Sequence, residues 1–288
     1  MLRQPGIIIG RHFLNLLIMI RKIASAFLLS VLIIACSRNA ITGRKQFKLL
    51  PEAEVQAMAT TEYQSFLSRN KVVTSSSNRD AEMVRRVGKR ITKAVSDYYA
   101  SVGRSADLSG YQWEYNLVDS KEVNAWCMPG GKIVVYTGLL PYTQNEAALA
   151  VVMGHEVSHA IFNHGNERMS QGLIQQLGGV ALSVAVANKP QETQNLFLSA
   201  YGVGTAVGIL LPFSRNHEYE SDHYGLWWSA MAGYNPQEAI PLWQRMEKAG
   251  EGQRPPEFLS SHPSEGNRIE RLQKFMPEAL KYYKPVSN

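Results

Sequence analysis

The stretch "MGHEVSHAIFNH" (residues 153–164) places three of the chain's seven histidines and a glutamate within twelve positions. The residues before it, "EAALAVVMG" (146–154), are apolar or small on every side, as suits a helix buried all round. Positions i and i+4 of a helix share a face, so His155 and His159 can present both imidazoles to one point, with Glu156 beside them. The H-E-x-x-H spacing therefore points to a divalent metal ion held by two histidines, with the glutamate as general base toward water. The competing reading is a surface helix carrying two unrelated histidines. If the metal reading holds, the chain must fold so that a further ligand reaches this helix from elsewhere.

A catalytic zinc commonly takes three protein ligands. An H-E-x-x-H-x-x-G-x-x-H pattern would need glycine at 162 and histidine at 165, where this chain has Phe162 and Gly165. His164 lies five residues past His159, off the ligand face of a continuous helix, and reads as a surface group or a support behind the ligands. The better source is "SRNHEYESDHYG" (214–225), where Glu218 and Asp222 are again i and i+4. Glu218 can reach the metal, while Asp222 can accept a hydrogen bond from a ligand histidine and fix its tautomer. Glu220 points elsewhere on that helix, and spacing alone leaves His217 and His223 open as ligands.

With 288 residues and 45% hydrophobic content the chain can bury a core, which excludes a disordered or collagen-like chain. Its formal charge is +6, but Arg3, Arg11, Arg21 and Lys22 lie in the first 36 residues, where no acid occurs. Those four cations account for all but two of the net charges, so no nucleic-acid partner is expected. The same region, "MIRKIASAFLLSVLIIACS", has a basic start, an apolar run from Ile23 to Ile34 and a cysteine, and reads as a secretory signal too short for a membrane-spanning helix. The ending "LIIAC" resembles the bacterial lipoprotein cleavage box, which makes Cys36 a lipid anchor. Ser37 after it resembles the sorting rule for the outer membrane. The expected organisation is a start-site extension over 1–18, a lipoprotein signal peptide over 19–35, a lipidated N-terminus and tether over 36–51, and one domain over 52–288. Cys127 then stands alone in an apolar stretch, as a buried small hydrophobe or a nucleophile.

Periodicity predicts helices over 52–68 and 80–99, then a small sheet within 111–137, where "YQWEYNLVD" alternates, "PGG" turns and "KIVVYTG" is β-branched. Helices are expected again at roughly 144–164, 167–187, 192–211, 214–232, 236–249 and 264–276. The fold class is thus α+β and mainly helical, with a small sheet beside the helix of the histidine motif. The apolar segments 173–187 and 196–211 are short of a bilayer span and rich in Gly, Ser and Gln, so they read as a buried or interfacial hairpin.

These motifs together resemble the gluzincin metallopeptidases that include the CAAX prenyl-protein peptidases, HtpX and the Oma-type peptidases, and among them the bacterial periplasmic BepA- and LoiP-like lipoprotein peptidases. The likeness is carried by "ITGRKQF" (41–47), "VNAWCMPGGKIVVYTGLL" (123–140), the two metal motifs and "SSHPSEGNRIERL" (260–272). Trp126 stands where that family usually has Phe, and Ser221 where it has Ala. The resemblance implies a zincin-like domain holding one Zn2+ through His155, His159 and Glu218, with Glu156 as general base. It also implies that His262 lies near the metal, either stabilising the transition state or ligating the ion as a removable latch. Arg268 would then lie near His262, orienting it or forming a plain surface ion pair. Asn124, Ala125 and Trp126 would offer an exposed strand edge to an extended peptide, favouring unfolded or flexible substrates. Two functions follow: an endopeptidase clearing misfolded envelope proteins, or a metal-latched chaperone for outer-membrane assembly that rarely cleaves.

Overall fold

The computed structural model describes residues 15, 19, 36–74, 78–177, 190–201, 214–251, 256–263 and 266–285. The chain divides into the units Met1–Leu49 and Leu50–Asn288. The first contains a two-stranded antiparallel hairpin, β1 (Cys36–Arg38) on β2 (Lys45–Phe47), within the segment expected to be a tether. Its turn is set by Asn39, whose Oδ1 accepts from the backbone N–H groups of Ile41 and Thr42. The expected signal peptide falls almost entirely outside the described residues.

The second unit opens with α1 (Glu52–Arg69) and the short β3 (Val72–Val73), followed by α2 (Arg79–Ser101). Asn78 caps α2 by accepting from Asp80 N and Ala81 N. Strands β4 (Glu114–Val118), β5 (Ala125–Met128) and β6 (Lys132–Tyr136) complete a mixed sheet in the order β3-β4-β6-β5. β4 runs parallel to β6, and β5 returns antiparallel with Trp126 opposite Val134. Gly130 and Gly131, both at positive φ, make the predicted turn between β5 and β6. β5 is therefore the strand at one edge.

After α3 (Leu140–Thr143) come the central helix α4 (Glu146–Ile161), α5 (His164–Leu177), α6 (Pro190–Ala200) and α7 (Arg215–Met231). The chain continues through α8 (Ala239–Gly250), α9 (Glu257–Ser261) and α10 (Arg268–Ala279). The mainly helical α+β architecture is as expected, but the helix read over 144–164 is not continuous. Asn163 adopts φ 57, a left-handed value that asparagine tolerates, and this ends α4 and starts α5 in a new direction. The helices read over 167–187 and 192–211 are described only as α5 and α6; 178–189 and 202–213 lie outside the described residues. Among the described residues no helix is long and apolar enough to cross a membrane.

α4 is buried from Ala148 to Ile161 and packs on α7, α2 and β5. Its crossing with α7 is a glycine contact: a Cβ on Gly154 would stand 2.8 Å from the Gly225 carbonyl oxygen, and one on Gly225 2.9 Å from His155 N. Any larger side chain would separate the two helices that carry the polar motifs. Around Trp126, Phe66, Tyr63 and Phe197, a second part of the core joins α1, the sheet, α5 and α6.

Candidate metal centre

Both motif helices begin with a side-chain cap: Asn145 Oδ1 accepts from Ala148 N at 2.8 Å, and Ser214 Oγ from His217 N at 3.3 Å. The caps set where each helix starts, and the glycine contact brings the two side by side. His155 and His159 from α4, Glu218 from α7 and His262 at the end of α9 consequently converge, all buried, with one ligand atom from each lying within 4.8 Å of the others. His155 Nε2 is 3.0 Å from His159 Nε2 and 3.3 Å from His262 Nδ1. Glu218 Oε1 is 3.4 Å from His159 Nε2 and 3.0 Å from His262 Nδ1, and Glu218 Oε2 is 3.5 Å from His155 Nε2. Four donors around a zinc ion at ordinary bond lengths stand about 3.3–3.4 Å apart. The donor set and its spacing thus fit one tetrahedral cation.

Glu156 is buried at this cluster, its Oε1 3.4 Å from His262 Nε2 and without a hydrogen-bond partner among the described residues. Burial pushes its carboxyl up from the usual range against the charges of His262 and His155, as suits a group that must accept a proton near neutral pH. Burial also pulls His159 well below an ordinary histidine, keeping it neutral. At His155 burial acts the same way, but hydrogen bonds to Asp222 and Glu218 outweigh it and raise the group to about 9. Burial would raise Glu218, yet the His262 charge and the His155 and His159 contacts hold it well below the carboxylate range.

Asp222 stands where the spacing put it, its Oδ1 3.0 Å from His155 Nδ1. Arg268 resolves differently from a surface ion pair: it is wholly buried and donates to Asp222 Oδ1 at 2.6 Å, to Glu218 Oε2 at 3.2 Å and to the His262 carbonyl at 3.3 Å. Its guanidinium carbon lies 3.5 Å from the centre of the Trp243 ring, a cation–π contact that no local spacing foretells. The arginine is buried because only there can it neutralise two buried carboxylates.

Neither His217 nor His223 joins the cluster; they pair with Glu167 at 3.3 Å and Glu278 at 2.8 Å. His164 lies behind the ligands, fully buried, its Nδ1 2.9 Å from His159 Nδ1 and its Nε2 2.7 Å from Glu220 Oε2. Cys127 is buried on β5, where burial raises its thiol well above the ordinary range, an inert hydrophobe rather than a nucleophile. Asn124, Ala125 and Trp126 lie on or beside the edge strand but are not exposed. Val123 O accepts from Phe258 N, and the Trp126 indole sits in the core, edge-on to Phe66 at 5.0 Å.

A buried helix carrying two histidines and a glutamate, crossed by a second helix bringing a carboxylate ligand and its supporting aspartate, defines a metallopeptidase centre, and residues 88–276 match the family described as Peptidase family M48, to which the chain belongs. It is 31% identical over 253 residues to the mitochondrial metalloendopeptidase OMA1 of Bos taurus, covering 84% of this chain and 46% of that protein. The mitochondrial metalloendopeptidase OMA1 of Arabidopsis thaliana is 36% identical over 184 residues, 63% of this chain and 36% of that one. The beta-barrel assembly-enhancing protease of Escherichia coli (strain K12) is 31% identical over 166 residues, 54% of this chain and 33% of that one. The chain spans half the length, or less, of each of these three.

Proposed function

We propose that the chain is a zinc-dependent endopeptidase that hydrolyses unfolded or flexible segments of misfolded cell-envelope proteins, tethered to the periplasmic face of a membrane, most simply the outer one, by lipid at Cys36. The observation that carries this reading is the four-donor cluster with a buried carboxylate, Glu156, at its side. His155, His159 and Glu218 would hold the ion, which would supply Lewis acidity toward a carbonyl and toward water. Glu156 takes the proton of the attacking water and passes it to the leaving amine. Asp222 accepts from His155 Nδ1–H and so keeps Nε2 free to ligate. An extended substrate pairs with the edge strand β5 through main-chain hydrogen bonds that ignore most side chains, which requires the cover over its buried residues to move aside.

His262 favours a second state of the same site. Its Nδ1 takes a fourth corner of the donor set, the position a catalytic zinc keeps for water. With His262 there the centre is latched, and such a protein bound to clients would serve as an assembly factor that rarely cleaves. The beta-barrel assembly relative makes outer-membrane assembly machinery a fitting partner. Glu156→Gln should abolish casein digestion, by at least about 100-fold, while the chain retains its zinc. His262→Ala should raise basal digestion. Undiminished digestion by Glu156→Gln would remove the hydrolase reading, and slower digestion by His262→Ala would make the histidine a participant instead of a latch.

A further inference from the structure

We infer that His164 and Glu220 form a proton-ordered relay that fixes the tautomer and ring plane of His159 for metal binding. The inference rests on the metal reading above and concerns positioning residues that touch neither ion nor substrate.

The relay follows from counting protons. His159 faces the other donors with Nε2, 3.0 Å from His155 Nε2 and 3.4 Å from Glu218 Oε1. To ligate there Nε2 must be bare, so the ring proton sits on Nδ1. That Nδ1 lies 2.9 Å from Nδ1 of His164, and a hydrogen bond between two ring nitrogens holds one proton. His159 therefore donates and His164 Nδ1 accepts, which puts the proton of His164 on Nε2. This second N–H meets Glu220 Oε2 at 2.7 Å, so every ring proton from ligand to carboxylate has one direction. Ser221 Oγ, 3.3 Å from His164 Nδ1, is a further polar neighbour of the accepting atom.

Packing holds the geometry. The His217 ring stacks on His164 at 4.3 Å and 13°, and His217 is itself tied to Glu167. His164, His217 and Glu220 are all buried. The backbone device is Asn163: on one continuous helix, a residue five positions after His159 would point about 140° away from it, and the left-handed turn instead aims His164 back at the ligand. A ligand histidine ordinarily donates its other N–H to a carboxylate, carbonyl or water. Here a neutral imidazole is interposed, so orientation depends on a tautomer.

The test uses the full chain purified in detergent. Zinc affinity is measured by competition with a chromophoric chelator, alongside thermal unfolding of the metal-free protein. His164→Leu, which keeps bulk but offers no acceptor, should weaken zinc binding about 10- to 100-fold. His164→Asn, whose amide oxygen can stand in for Nδ1, should recover most of that loss at a similar metal-free melting temperature. Should the leucine variant not fold, nitrogen NMR of the zinc-loaded wild type decides alone: His159 should carry its proton on Nδ1 and His164 on Nε2. Wild-type affinity in the leucine variant, equal losses in the two variants, or a His164 proton on Nδ1 would overturn the relay. A wild type that takes up no zinc refutes the metal reading and the relay with it, which separates the two failures.

Discussion

The two imidazoles of one helical turn are supported in opposite ways. His155 leans on a charged system, Asp222 clamped by Arg268 under Trp243, whereas the Nδ1 of His159 leans on a histidine and reaches the Glu220 carboxylate through it. Burial acts on both, but hydrogen bonds to Asp222 and Glu218 override it at His155, and nothing overrides it at His159. The same motif spacing therefore yields two kinds of support. The charged side is costly to break because ions are left uncompensated inside the protein, and the neutral side is sensitive to where one proton sits.

The largest effect should come from breaking the charged side. Arg268→Met leaves Asp222 and Glu218 buried without the guanidinium that bridges them, and the metal-free chain should lose about 3–5 kcal/mol in denaturant unfolding. Unchanged stability would mean that the arginine does not carry the His155 side. Next, Asp222→Asn should weaken zinc binding about 10- to 100-fold; a chelator titration showing no change would leave His155 without the orienting partner claimed for it. A substitution that strikes both sides equally sharpens the comparison: Gly225→Ala places a methyl 2.9 Å from His155 N, and overpacking at the helix crossing should cost about 1–3 kcal/mol. A crystal structure of that variant should show α4 and α7 moved apart, and unmoved helices would refute the role of the glycine contact.

The smallest effect belongs to an ion pair at the rim of the same helix, between Arg86 and Glu146, which Tyr234 joins. Burial pushes the Glu146 carboxyl up, but the Arg86 hydrogen bond and charge outweigh this and lower it below its ordinary value. A depressed carboxyl stabilises the fold above its unfolded value, and that stability is lost as pH falls through the folded one. Glu146→Gln should thus cost less than about 1 kcal/mol at neutral pH, with the wild-type and variant stabilities converging in acid. A loss rivalling that of Arg268→Met would erase the distinction between buried and rim charges.

The carboxylates of the charged side are legible in the sequence and the geometry of the neutral side is not, for a physical reason. Glu218 and Asp222 follow the helical repeat, so their spacing alone sets them on one face of α7. His262 was placed by likeness to a family, since no local spacing links it to α4. The helical repeat leaves His164 open between a surface group and a support behind the ligands, and one left-handed residue, Asn163, decides it by aiming the ring at His159. Periodicity averages over a window and cannot register a single backbone angle. Arg268 was ambiguous for another reason: a charged side chain near a motif can face water or carboxylates, and only the three-dimensional meeting of Asp222, Glu218 and Trp243 decides it. The sheet around Trp126 is legible from its alternation but the burial of its edge is not, because which segments cover an edge strand depends on contacts far away in sequence, such as Val123 with Phe258.

The central claim is that donors from three helical segments share one divalent ion, and elemental analysis of the purified, zinc-replete chain tests it most directly. One zinc per wild-type chain, with almost none after His155 and His159 are both replaced by alanine, is the expected result. A metal-free wild type, or full occupancy persisting in the double variant, would contradict it.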